Sequence, residues 1–292
     1  MSYHDCLVTA TLHTYIITVR CPDQPGIVFS FAAGIMAAQG NILENAQFDD
    51  QITRTFCQRT RFESPIADVF LIEQQLNPIA ARFDAELTVR AESTKQRMLV
   101  MVSKFDHCLV DLLYRWNNGE LRVDIPVVVS NHPDHQQFVE RYGIPFVHLP
   151  VTKDNKTEQE GRLRDLIAEH AIDFIVLARY MQVLSPELCD EMPGRVINIH
   201  HSFLPGFKGA RPYDQAYARG VKIIGATAHY VTSDLDEGPI IEQDVVRVGH
   251  ALTSPELATV GRDVERQVLS RAVRYQAESR LIRIGHRVIV FH

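Results

Sequence analysis

Basic charge, paired cysteines and long apolar runs are all scarce in this chain of 292 residues. Its 30 lysines and arginines are outnumbered by 36 aspartates and glutamates, for a net charge of -6. Without a basic stripe, nucleic acid is not expected as a partner, and the acidic balance mainly favours solubility. The five cysteines (Cys6, Cys21, Cys57, Cys108 and Cys189) are scattered and form no C-x-x-C pair. They read as free thiols of a reducing compartment, with no zinc site built from them. No apolar run approaches the ~20 residues that span a bilayer. The N-terminus lacks the basic stretch and apolar core of a secretory signal. No membrane association and a cytoplasmic location are therefore expected. Neither G-x-S-x-G nor H-E-x-x-H occurs, which argues against a serine hydrolase built on Ser202 and against a zinc hydrolase. There is no internal repeat and no low-complexity segment.

What is present fits an ordinary globular protein, 46% hydrophobic and 23% charged, at a length that favours two domains. The first 90 residues read as β-α-β-β-α-β, the ferredoxin-like order. Strands are expected at Tyr15–Arg20, Ile42–Asp49, Arg54–Phe62 and Ala85–Arg90, with helices at Ile27–Gln39 and Pro65–Leu76. Cys21-Pro-Asp-Gln-Pro-Gly26 reads as a turn, and Gly40-Asn41 as a left-handed cap that ends the first helix. Residues 91–97 are polar and read as a linker. From residue 98 to 292, short unalternated apolar runs such as Met98–Ser103, Val127–Ser130, Ile172–Leu177 and Val196–Ile199 alternate with helical segments. That pattern predicts a Rossmann-like α/β domain, a mostly parallel sheet covered on both faces. Its ligands are expected beyond the carboxyl ends of the strands.

The chemistry is concentrated in Asn198-Ile-His200-His201-Ser202 and in Asp234-Leu-Asp236-Glu-Gly238-Pro239. Asn198 and His200, two apart on a strand, can face one reacting group, and His201 is expected to point away. An amide offers donors to an oxyanion, and an imidazole near neutrality moves a proton. A carboxylate at Asp236 can support the imidazole and hold a water. This trio suits transfer or hydrolysis of an acyl group.

Pro22-Asp-Gln-Pro-Gly-Ile27 followed by Gly40-Asn-Ile-Leu43 resembles the ACT family of regulatory domains. That resemblance implies an amino-acid effector, such as glycine or methionine, and pairing into a homo-oligomer. Val196-Ile-Asn-Ile-His-His-Ser-Phe-Leu-Pro205, Phe207-Lys-Gly-Ala-Arg-Pro-Tyr213, Gly225-Ala-Thr-Ala-His229 and Leu235-Asp-Glu-Gly-Pro-Ile-Ile241 resemble the folate-dependent formyltransferase family, most closely its deformylase branch. The resemblance spans most of residues 98–285 and implies Asn198, His200 and Asp236 as catalytic residues. It further implies a folate site formed by Met181, Gln182, Val183 and Leu184 on one side. Thr232, Ser233, Asp234 and Leu235 would close it from the other. Thr227, His229 and Lys208 would stand around it. The implied substrate is 10-formyltetrahydrofolate, with no cofactor and no metal. Ser103-Lys-Phe-Asp-His-Cys108, the turn after the first strand of this half, has no glycine, and Asp106 opposes phosphate. Water is therefore the expected acceptor, the alternative being an amine.

Overall fold

The computed structural model describes residues 11–206 and 212–292. The chain divides into two compact units. One comprises the described residues up to Thr94 together with Phe291 and His292, and the other comprises Lys95–Val290.

The first unit is ferredoxin-like. Its elements are β1 (His13–Pro22), α1 (Ile27–Ala37), β2 (Asn41–Asp50), β3 (Thr55–Ser64), α2 (Val69–Arg82) and β4 (Glu86–Ala91). The strands form one antiparallel sheet in the order β2-β3-β1-β4. Phe31 and Ile35 of α1 and Ile72 and Leu76 of α2 bury against Tyr15, Ile17 and Phe62. Several boundaries differ from the sequence reading. β1 runs on through Cys21 and Pro22, so the turn is only 23–26. The left-handed residue after α1 is Gln39, with φ 54°. Gly40 is needed for another reason, because a Cβ there would lie 2.6 Å from Ile35 Cγ2. α2 begins at Val69, where the Asp68 side chain accepts from the Phe70 N–H at 3.0 Å, and it continues past Leu76 with Pro78 inside it. The polar stretch 91–97 is not all free linker: Ala91 closes β4, and Gln96 and Arg97 open the next strand.

The second unit is an α/β layer structure. Its elements are β5 (Gln96–Val102), α3 (His107–Asn117), β6 (Val123–Ser130), α4 (Gln136–Glu140), β7 (Phe146–His148), α5 (Lys156–Glu169), β8 (Phe174–Leu177), α6 (Pro186–Glu191), β9 (Val196–His200), α7 (Pro212–Arg219), β10 (Ile223–Tyr230), β11 (Ile240–Arg247), α8 (Ser254–Ala277), β12 (Leu281–Ile284) and β13 (Arg287–Val290). The sheet order is β12-β13-β11-β10-β9-β8-β5-β6-β7. The run from β9 to β7 is parallel, while β10 is antiparallel to both β9 and β11. β5 shows why its strands read as continuous apolar runs. Met98, Val100 and Val102 enter the core shared with α3 and α8, while Leu99 and Met101 enter the core on the opposite face. β6 starts at Val123, earlier than expected. It carries Pro126 across a register shift in its pairing with β5, where the missing N–H is tolerated. The sequence reading missed α6, α7 and β12. α6 has an ordinary start signal, with Ser185 accepting from the Leu188 N–H and Pro186 in its first turn. Among the described residues no helix is long and apolar enough to cross a membrane.

Candidate active site

Strand register builds the centre of the site. β9 and β10 pair so that Asn198 stands opposite His229 and His200 opposite Thr227. Ile197 and Ile199 bury in the core beneath, which turns Asn198 and His200 to the other face. Asn198 Nδ2 lies 3.2 Å from His229 Nε2, and His229 Nδ1 lies 2.9 Å from the Tyr230 carbonyl. A carbonyl only accepts, so His229 carries a proton on Nδ1.

Asp236 enters from the loop after β10 with a left-handed backbone, φ 57°, a conformation that aspartate tolerates better than most side chains. Its Oδ1 lies 3.3 Å from His200 Nδ1 and 3.7 Å from His229 Nε2. Hydrogen bonds from His200 and His229 hold its carboxyl well below the usual carboxylate range, outweighing the upward push of burial. An ionised Asp236 accepts, so His200 donates from Nδ1 and turns Nε2 away. That Nε2 is buried and has no hydrogen-bond partner among the described residues.

Beside this centre opens a cavity of about 610 Å³ at the carboxyl ends of β8 and β9. Met181, Gln182, Val183 and Leu184 line one side of it. Thr232, Ser233, Asp234 and Leu235 line another, together with Asn198, His200, His229 and Asp236. Met181 and Val183 are 53% and 57% exposed, leaving apolar surface for a flat ring to cover, whereas Leu184 belongs largely to the core. Ser103 secures the first side: its hydroxyl donates to Asn131 Oδ1 at 2.7 Å and accepts from the Met181 N–H at 2.9 Å. The hydroxyl of the glycine-free turn is thus committed to protein partners.

Thr227 does not line the cavity. It is fully buried and clamps the loop after β9, accepting the Leu204 N–H at 3.0 Å and donating to the Ser202 carbonyl at 2.9 Å. Lys208 lies outside the described residues. His201 departs from expectation, because it lines the same cavity as His200. β9 ends at His200, so the two-residue alternation stops there, and the two rings lie 5.1 Å apart. Burial, with Arg179 and His200 nearby, pushes the His201 pKa down to about 3.

A second polar group on the cavity wall escaped the sequence reading. Glu265 of α8, with its side chain 1% exposed, accepts from His107 Nε2 at 2.8 Å and from the Tyr213 hydroxyl at 2.6 Å. Arg179 Nε lies 3.4 Å from the same carboxylate, and Arg179 Cζ sits over the Phe105 ring at 5.5 Å. Burial pushes the Glu265 carboxyl up, but the His107 and Tyr213 hydrogen bonds and the Arg179 charge carry it lower, so it stays ionised. The signal in the sequence was Glu265 itself, a charge at four-residue spacing between Leu257, Gly261 and Leu269 on the buried stripe of a helix. His107, Cys108 and Glu265 bring three potential metal ligands within 4.8 Å of one another. Glu265 is already paired there, and burial and the Glu265 charge push the Cys108 thiol pKa well up, which opposes the thiolate a metal needs.

Comparison with known proteins agrees with this architecture. The formyl transferase family matches residues 96–273. A formyltetrahydrofolate deformylase of Corynebacterium sp. (strain P-1) is 46% identical, over 94% of this chain and 97% of that protein. The crystal structure of a formyltetrahydrofolate deformylase from Burkholderia mallei superposes with a TM-score of 0.92 at 46% identity, covering 96% of this chain and all of the other. Further away, a glycinamide ribonucleotide transformylase from Symbiobacterium toebii gives a TM-score of 0.64 at 30% identity, over 68% of this chain and 95% of that one. The chain belongs to the formyl transferase family and, within it, to the formyltetrahydrofolate deformylases.

Proposed function

We propose that this chain hydrolyses 10-formyltetrahydrofolate to formate and tetrahydrofolate, with Asn198, His200 and Asp236 as catalytic residues. The observation that carries the reading is the convergence of His200 and His229 on the ionised Asp236 carboxylate at the edge of the cavity, with the Asn198 amide against His229. The folate lies between Met181–Leu184 and Thr232–Leu235. The formyl oxygen faces the Asn198 amide and His200 Nε2. Water adds to the formyl carbon, and the Asn198 amide and His200, carrying a proton on Nε2 at this step, stabilise the oxyanion. The C–N bond to N10 then breaks, N10 takes a proton by way of His200, and formate leaves as its acidic proton is lost. Asp236, with its depressed pKa, is a poor proton acceptor. Its part is to hold the water and to orient the His200 ring. Nucleophile and proton carriers are all water or side chains, so the reaction calls on no cofactor.

The same reading extends to the rest of the chain. Residues 1–90 act as an ACT-like regulatory domain that takes an amino acid such as glycine or methionine and pairs chains into a homo-oligomer. Residues 91–97 link it to the catalytic domain, 98–292. In a cytoplasmic setting the activity balances the one-carbon pool and supplies formate for purine synthesis. Calorimetry of the full chain with glycine and with methionine tests the effector, and the absence of heat with both would remove it.

The primary test is formate release from 10-formyltetrahydrofolate without an added acceptor, comparing wild type with Asp236→Asn and Asn198→Ala. One oxyanion donor is worth about 3 kcal/mol, so Asn198→Ala should lower turnover roughly 100-fold or more with folate binding kept. Near-normal turnover in that variant defeats the assignment. Turnover only when an amine is supplied makes the chain a formyltransferase.

A further inference from the structure

We propose that Arg179, His107 and Tyr213, gathered on the buried carboxylate of Glu265, form a wall that denies the cavity to amines and leaves water as the acceptor. The inference rests on the hydrolytic reading above and names the groups that enforce it. An amine acceptor makes two demands. At neutral pH it arrives as an ammonium, so it needs an anion to hold it, and it must then shed protons to act as a nucleophile. Among the described residues three carboxylates line the cavity: Asp234, Asp236 and Glu265. Asp236 is engaged by His200 and His229, and Asp234 belongs to the loop on the folate side. Glu265 is the remaining candidate, and it is engaged from three directions.

The engagement is built in by the fold. His107 comes from the first turn of α3, Arg179 from the exit of β8, and Tyr213 from α7, all meeting one side chain of α8. Both carboxylate oxygens are taken: Tyr213 donates to Oε1 at 2.6 Å, and His107 donates to Oε2 at 2.8 Å with Arg179 Nε beside it at 3.4 Å. Gly261, one turn before Glu265, makes the Tyr213 contact possible, because a Cβ there would fall 2.0 Å from the Tyr213 hydroxyl oxygen. Arg179 is permanently cationic and its side chain is 9% exposed, so it confronts an entering ammonium with a like charge under little solvent screening. A water molecule is neutral and asks nothing of Glu265. Selection here works by refusal, through a repelling charge and occupied acceptors.

The test uses the full chain, 10-formyltetrahydrofolate and excess glycinamide as the amine probe, with formate and N-formylglycinamide measured together. In the transfer reaction the amine nitrogen bonds to the formyl carbon, the bond to N10 breaks, and a proton from the amine passes to N10. Two variants are compared with wild type: Arg179→Gln removes the charge, and Tyr213→Phe frees Glu265 Oε1. Each leaves a buried group short of a partner, so both are made, and one that folds is sufficient. The expected result is formate as the main product from wild type and a ratio of N-formyl product to formate raised about tenfold or more in the variants. Adding Glu265→Gln to Arg179→Gln should abolish that gain. Folded variants that release formate with no more N-formylglycinamide than wild type overturn the proposal and leave the hydrolytic reading standing. Wild type that formylates glycinamide in preference to water overturns the hydrolytic reading itself.

Discussion

Gly238 passes so close beneath Tyr230 that a Cβ on it would lie 1.7 Å from the Tyr230 carbonyl oxygen. The same stretch pairs the Tyr230 N–H with the Pro239 carbonyl at 2.9 Å, so the loop folds tightly back on β10. Asp236 sits two residues before this contact in a left-handed backbone. The closeness of Gly238 to β10 therefore sets the reach of the Asp236 carboxylate toward His200 and His229. Gly238→Ala should displace the loop, lower turnover by at least about 100-fold if Asp236 loses both imidazoles, and cost about 1–3 kcal/mol of stability. Gly161→Ala is the control. Gly161 lies in α5, and a Cβ added to it would meet nothing within 4 Å, so that change should leave turnover intact and raise stability by up to ~1 kcal/mol. Steady-state kinetics and thermal melts of the two variants decide the point, and an active Gly238→Ala enzyme contradicts it.

Ser103 sets up the folate side in the same indirect way. Its hydroxyl holds the Met181 N–H and Asn131 at once, and the residue is 2% exposed. Ser103→Ala leaves the Met181 N–H without that partner, a loss of about 1–3 kcal/mol if the group stays dry. The segment that should meet the folate ring then loosens. The expected outcome is a raised KM and a weaker Kd for the folate, with kcat reduced less. A fall in kcat alone would show that Ser103 serves the reacting centre instead.

Gly261 and Tyr213 supply a stability prediction. Exposed helix positions gain from glycine-to-alanine changes, but at Gly261 the new methyl meets Tyr213 Cζ at 2.3 Å. Overpacking wins, so Gly261→Ala should destabilise by about 1–3 kcal/mol. Pairing it with Tyr213→Ala should remove most of the steric penalty, which a double-mutant cycle on melting free energies measures. Additive effects would show that the ring does not occupy the notch.

The residues proposed to carry chemistry stood out in the sequence because each breaks a local rule. Asn198 and His200 interrupt an apolar strand, and the clustering of Asp, Gly and Pro around 234–239 marks a tight loop. The ferredoxin-like order and the buried parallel strands followed from periodicity, with errors at ends set by capping. α2 starts where Asp68 can cap it, not at Pro65. That His229 stands against Asn198 was not legible, because it depends on β9 and β10 pairing in one register among many. Nor was the Glu265 group, whose members come from four elements far apart in the chain and meet only in the folded state. His201 misled for the opposite reason: alternation holds only while the strand lasts, and β9 stops one residue earlier.

His201 also provides a pH prediction with a definite sign. Its pKa is pushed down to about 3 in the folded chain by burial, with Arg179 and His200 adding to it, against an ordinary value near 6.5. Below about 6.5 the unfolded chain takes up a proton that the folded chain refuses. Stability from this group is therefore fully present above pH ~6.5 and is lost as pH falls toward the folded value. Asp236 acts in the same direction at lower pH. Its folded pKa is depressed, so its contribution is present above the ordinary carboxylate value and is lost as pH falls below it. The two windows separate the residues experimentally. Melting temperatures measured from pH 8 down to pH 5, about the range in which only the histidine titrates in the unfolded chain, should fall less steeply in His201→Gln than in wild type. Below about pH 4, near the ordinary carboxylate value, wild type should lose stability more steeply than Asp236→Asn, whose amide does not titrate. Identical slopes for wild type and His201→Gln would show that the ring is solvated in the folded chain and that its neutral form is not being enforced.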